Sequence, residues 1–214
     1  MHELVFLEPN KIDEEPFTTS DVIAECADLN YRSVQRMIEK HQATIELYGK
    51  VRFQITPSGK TNQPKRVYHL NEQQATVLMT LLGNTPSVVA FKTELVRQFF
   101  AMRKELTNRH IERAQLKPVR REMTDVIQQV TDNKWAYKLY TDLAYKLVTG
   151  KISSKLRKER NAPKDAPAID YMTADEIKNI SKMQYGIAAL LNIGMDYSTV
   201  KQTLQSSVSA RCIA

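Results

Sequence analysis

The stretch from Asn71 to Leu82 constrains the fold more than any other. Asn71 suits the N-cap of a helix, because its side-chain oxygen accepts a hydrogen bond from a free amide of the first turn. Gln74 stands three residues on, where its amide can bond back to the cap, completing a capping box. Ala75, Val77, Leu78, Met79, Leu81 and Leu82 then leave almost no polar stripe. A helix apolar nearly all round has to be enclosed by other elements. The basic segments before it and the long helix after it are the elements available.

Ahead of that helix the pattern is a helix-turn-helix followed by a hairpin. Thr18 opens a helix to about Ala27, with Asp21 at its third position and Phe17 and Val22 placed as a hydrophobic staple. Asp28 to Asn30 makes a short turn, and Asn30 caps a second helix from Tyr31 to about His41. Tyr31, Val34, Met37, Ile38 and His41 share its apolar face, while Arg32, Arg36, Glu39 and Lys40 lie opposite, with Ser33 and Gln35 on the flanks. Val51, Phe53 and Ile55 alternate with Arg52, Gln54 and Thr56, the period of a half-buried strand. Pro57 to Pro64 reads as a turn-rich loop, and Lys65 to Leu70 as the return strand. The loop holds Gly59, Lys60 and Thr61, but a phosphate-binding loop needs a glycine where Gln54 stands and a helix directly after. A second strand follows instead, so nucleotide binding is rejected.

Charge sharpens this reading. The chain carries a formal +7, and it is unevenly spread. Residues 50–66 hold Lys50, Arg52, Lys60, Lys65 and Arg66 and no acid, and residues 146–164 hold seven basic residues against Glu159. Residues 1–16 hold five acids and one lysine and read as an acidic tail, or a short edge strand over Leu4 to Leu7. Basic clusters on a helix-turn-helix and its hairpin fit a polyanion. Arginine and glutamine can also fork onto base edges in the major groove. The candidate DNA-contacting residues are Asn30, Arg32, Ser33, Gln35, Arg36 and Lys40 from the second helix and its cap, with Arg52, Lys60, Lys65 and Arg66 from the hairpin.

After the central helix, Gly83 to Pro86 stops one helix and starts another, reaching about Leu106. Val88, Phe91, Leu95, Phe99 and Met102 recur along it at steps of three or four. They serve either packing against residues 71–82 or a homodimer seam. Three segments of this half resemble the Rha family of phage regulatory proteins. They are Phe17-Thr18-Thr19-Ser20-Asp21-Val22-Ile23, Val67-Tyr68-His69-Leu70-Asn71-Glu72-Gln73-Gln74-Ala75-Thr76-Val77-Leu78 and Leu95-Val96-Arg97-Gln98-Phe99-Phe100-Ala101-Met102-Arg103. The resemblance spans roughly residues 15–106. It implies a phage or prophage regulator with a winged helix-turn-helix-like N-terminal domain and an interchangeable C-terminal one, without catalytic residues to carry over.

Polar residues 107–120, with Pro118, read as a helix extension and then a linker to a helical domain over 121–214. That domain has a short helix at Met123 to Val130 and a longer one from Trp135 to Val148. A basic loop follows from Gly150 to Asp170, then a helix capped by Thr173 with Glu176 completing a capping box, and a last one from Ser198 to Leu204. The stretch from Tyr137 to Gly150 looks like the C-terminal domain of several phage antirepressor-like proteins. The expected fold is therefore mainly α with a small β-hairpin: a winged helix-turn-helix-like domain at 17–106, a long connecting helix and a helical C-terminal domain.

The four histidines and two cysteines show no metal-ligand spacing, and no nucleophile motif appears, so neither an enzyme nor a cofactor is expected. No apolar run is long enough to cross a bilayer, and the start of the chain does not read as a signal peptide. Two widely spaced cysteines suit a reducing bacterial cytoplasm. The expected partner is double-stranded DNA, with the chain a homodimeric transcriptional regulator. The alternative is an antirepressor that binds a phage or host repressor protein.

Overall fold

A computed structural model describes residues 2–8, 10–57 and 64–211, the side chains of 209–211 excepted. Its described residues form nine α-helices and one three-stranded antiparallel sheet, so the fold is mainly α with a small β element. Backbone contacts divide the chain into two compact units, one of residues 1–8 and 13–104 and one of residues 9–12 and 105–214.

The N-terminal unit is a winged helix-turn-helix. Strand β1 (Phe17–Thr19) leads into α1 (Ser20–Cys26), a turn, and α2 (Tyr31–Lys40). Two short turns of helix follow, α3 (Gln42–Ile45) and a 3-10 turn (Glu46–Tyr48), then the hairpin β2 (Arg52–Pro57) and β3 (Pro64–Asn71). Strand β3 is central, with β1 and β2 on either side. The hairpin was legible from alternation, but β1 was not: Phe17 to Thr19 pair with Asn71 to His69, so the first helix starts at Ser20 rather than Thr18. Phe17 stacks on His69 at 4.7 Å instead of stapling α1, and Thr19, at the cap, makes no side-chain bond to it. The buried Ser20 hydroxyl accepts from the Tyr68 amide at 3.0 Å, which ties the start of α1 to β3.

Helix α4 (Glu72–Leu81) is capped as expected. The Asn71 side chain accepts from the Gln74 amide at 2.9 Å, and the Gln74 side chain accepts from the Asn71 amide at 3.1 Å. Its burial is one-sided rather than complete: Gln74, Ala75 and Leu78 are buried, while Gln73, Thr76 and Thr80 reach solvent. The buried Gln74 also donates from Nε2 to the Gly49 carbonyl at 2.7 Å. Gly49 has φ 112° and ψ 162°, a region essentially reserved for glycine. This pins the turn from which the hairpin departs. Ile23, Val34, Ile38, Ile45, Leu70, Leu78 and Leu95 are sealed in the core around it.

Residues 1–16 are not a free tail. Leu4 and Val5 are 2% exposed in the N-terminal core, and Phe6 and Phe17 exchange backbone hydrogen bonds at 2.8 and 3.0 Å. Ile12 is buried in the C-terminal unit, where its amide donates to the Asp170 carbonyl at 2.8 Å. The segment carries five acids, but its apolar side chains decide its placement.

Residues 107–120 are not a linker either. Helix α5 (Pro86–Val130) is continuous for 45 residues and includes Pro118. A proline in a helix loses its own amide hydrogen bond and crowds the preceding turn. Here Leu116, Met123 and Ile127 on either side are at most 1% exposed, and their burial outweighs that loss. Within the C-terminal unit α5 is followed by α6 (Ala136–Thr149), α7 (Ser153–Glu159), a 3-10 turn (Ala168–Tyr171), α8 (Ala174–Asn192) and α9 (Tyr197–Arg211). The expected basic loop 150–170 thus contains α7. Its charge is partly neutralised, by a pair between Lys151 and Glu159 and by Arg160 on Glu176 at 2.5 Å. The Thr173–Glu176 capping box is present at the start of α8.

Candidate nucleic-acid interface

Helix α2 supplies the most exposed part of the site. Asn30 accepts from the Arg32 amide at 2.9 Å, so this side chain is occupied as the cap. Val34 and Ile38 are each 1% exposed and fix the helix on the core. At 100° per residue Arg36 lies opposite their midpoint, with Arg32 and Lys40 about 40° to either side. All three are exposed, and none makes an ion pair among the described residues. They form a cationic line on successive turns. Ser33 is exposed beside it at the N-terminal end.

The hairpin side of α2 is built differently. Gln35 Nε2 donates to Glu39 Oε1 at 3.1 Å, and the Tyr68 hydroxyl of β3 donates to the same oxygen at 3.0 Å. Burial, and then Glu39 itself, raise the Tyr68 hydroxyl above its ordinary pKa, so it stays a proton donor. Gln35 is thereby engaged by its own helix, and Glu39 is drawn towards β3. The Tyr31 hydroxyl donates to the Arg66 carbonyl, and the Lys65 ammonium sits 3.8 Å from the centroid of the Tyr31 ring. Arg66 lies 5.2 Å over the Phe53 ring, which meets Tyr68 edge-on at 6.0 Å. Cations held on aromatic faces keep their charge and lose rotational freedom. Lys65 and Arg66 are therefore held in place beside α2.

Arg52 is not part of this group. It pairs with His69 while the next residue, Phe53, pairs with Tyr68, and successive side chains of a strand point to opposite faces. Arg52 accordingly lines a polar hollow with Glu8, Glu14, Glu15 and His69, on the sheet face away from Tyr68. Burial and the Arg52 charge lower the His69 pKa below its ordinary 6.5. Lys60, and the rejected phosphate loop around it, lie outside the described residues.

Sequence reasoning missed the aromatic platforms. Alternation placed Phe53 and Ile55 in the core, yet they are 48% and 66% exposed. A period of two marks two faces of a strand but not which face is covered. The residues assigned to a dimer seam show the reverse. Val88, Phe91, Leu95 and Phe99 are at most 3% exposed and belong to the N-terminal core, and Met102 packs against it. Packing within one chain has used that stripe. Val89, Val96 and Phe100, about a third of a turn away, are the exposed apolar residues of this segment.

Residues 18–104 match the family model of the phage regulatory protein Rha. This stretch is similar to that family. Its match ends where the two compact units divide, after Lys104, and the C-terminal unit lies outside it. No curated protein matches the chain. Among the described residues there is no group of three or more His, Cys, Asp or Glu side chains able to hold a metal ion, and no helix long and apolar enough to cross a membrane.

Proposed function

We propose that the N-terminal unit binds double-stranded DNA, with α2 in the major groove and the β2–β3 hairpin along the backbone, and that the chain regulates phage transcription in the bacterial cytoplasm. The observation that carries this reading is the unpaired line of Arg32, Arg36 and Lys40 beside the ring-held cations Lys65 and Arg66. Within it Arg32 and Arg36 read base edges, Lys40, Lys65 and Arg66 neutralise phosphates, and Asn30 and Gln35 act by positioning α2. Arg52 contributes only long-range charge.

The test is fluorescence anisotropy on a selected and a scrambled duplex over a range of salt. Arg36→Ala should cost about 1–3 kcal/mol on the selected duplex and far less on the scrambled one. Lys65→Ala should weaken both alike and lower the slope of log affinity against log salt by about one. Near-zero effects of both, with circular dichroism unchanged, would leave the antirepressor reading, contact with a repressor protein, in its place.

The same reading includes a homodimer, because two half-sites related by a two-fold axis suit a regulator of this kind. Its seam would be Val89, Val96 and Phe100. Light scattering should then give twice the 24.6 kDa of one chain, and Phe100→Glu should halve it. A 24.6 kDa species at every concentration would refute the dimer.

A further inference from the structure

The C-terminal unit carries an open apolar groove of about 550 Å³ between α6 and α9. One stripe of α6 and its N-cap residue forms the long wall: Trp135, Leu139, Leu143 and Leu147 follow one another at steps of four. Tyr197 and Gln205 of α9 form the other wall. Trp135 is 73% exposed and Leu139 44%, although the hydrophobic effect favours covering both. The stripe covers twelve residue steps, or about 18 Å of helix, the length of roughly three turns of a helix laid alongside. Recognition of an amphipathic helix in a groove uses anchors at this spacing.

The rim tells what kind of helix fits. Lys138, Lys146 and Lys201 border the groove, are exposed, and make no ion pair among the described residues. Asp142 is the acid in the lining, and its Oδ1 is already occupied by the Ser153 amide at 3.1 Å and the Ser153 hydroxyl at 2.7 Å. The groove therefore offers an aliphatic floor with three free positive charges around it. Nucleic acid would satisfy the lysines and find ring faces in Trp135 and Tyr197, but Leu139, Leu143 and Leu147, which make up most of the long wall, give a base nothing to stack on.

We propose that this groove docks an acidic amphipathic helix of a protein partner, about three turns long, with large apolar residues on one face and Asp or Glu flanking them. The groove belongs to the C-terminal unit and gives that unit a role of its own: bringing a second protein to the chain.

Trp135 is the sole tryptophan of the chain and stands in the groove, so its emission reports occupancy directly. Tryptophan-free helical peptides of about 14 residues, randomised at surface positions, are selected by display on the full chain and counter-selected on Leu139→Glu. Leu139 is half-exposed, so this variant should fold, which circular dichroism checks. The enriched pool should be acidic, with apolar residues at i, i+3 or i+4 and i+7. Its members should blue-shift Trp135 saturably. Leu139→Glu should weaken binding roughly tenfold or more. Lys201→Glu should weaken it about two- to fivefold and improve binding of a lysine-bearing counterpart.

Three outcomes would overturn the proposal. One is a pool that is neutral or basic, or that binds Leu139→Glu equally well. Another is a blue shift produced by single-stranded oligonucleotide and not by peptide. The last is a Trp135 emission already blue-shifted in the free chain and red-shifted on removal of residues 209–214, which would make the chain's own terminus the occupant.

Discussion

Replacing Gln74 with Leu tests whether one side chain joins α4 to the hairpin. Gln74 is 2% exposed and bonded at both ends, accepting from the Asn71 amide at 3.1 Å and donating to the Gly49 carbonyl at 2.7 Å. Leucine has similar bulk, so packing is kept and only the polar bonds are lost. Each neutral hydrogen bond contributes about 0.5–1.5 kcal/mol net. Gly49 is exposed, so its freed carbonyl is rehydrated and the penalty for a stranded buried acceptor is not incurred. The expected loss is about 2 kcal/mol, or a shift of roughly 8–16 °C in the melting of the N-terminal unit. The loss should concentrate where Gln74 holds the chain. Hydrogen exchange of the β2 amides in the full-length protein should speed up roughly 30-fold, the equivalent of 2 kcal/mol. Amides of α8, in the other unit, should be unchanged. Exchange in β2 within about threefold of wild type would refute the reasoning, since the hairpin would then be held by its own ladder and core contacts. If the hairpin loosens as expected, duplex affinity should fall on all sequences alike, because α2 keeps its core contacts.

Two further predictions concern the C-terminal unit. Gln184 in α8 is 1% exposed and its Oε1 has no hydrogen-bond partner among the described residues, so Gln184→Met should stabilise the chain by about 1 kcal/mol in a thermal melt; a destabilised variant would show that the oxygen is satisfied. Burial pushes the Glu176 carboxyl up, but hydrogen bonds from Arg160 and Thr173 outweigh it and leave its pKa below the ordinary 4.5. A carboxyl lowered by folding stabilises above its unfolded value and loses that contribution as pH falls through the folded one. Glu176→Gln should thus cost about 1–3 kcal/mol at pH 7, and the gap to wild type in urea titrations should close below about pH 4.5; a gap constant with pH would refute the assignment.

Sequence alone determined the elements whose signals are local. The capping boxes at Asn71–Gln74 and Thr173–Glu176 and the cap at Asn30 all form, because a cap is a bond between residues two or three apart. The polar face of α2 was legible for the same reason, since Arg32, Arg36 and Lys40 follow from helical geometry once the helix exists. The order helix, turn, helix, hairpin needed nothing beyond periodicity. Tertiary structure decided everything that depends on what lies opposite. Phe17 to Thr19 become a strand only because β3 has a free edge to pair with. Val88 to Phe99 face their own core and not a second chain, while Phe53 and Ile55 on an alternating strand stay exposed. Pro118 sits inside a helix because Leu116 and Met123 are buried on either side of it. Arg52 and Arg66, equally basic in sequence, lie on opposite faces of one sheet because the β2–β3 register pairs Arg52 with His69 and Arg66 with Ile55. Spacing along a chain fixes which side chains share a face; only the packed neighbours determine whether that face is core, solvent or a surface for a partner.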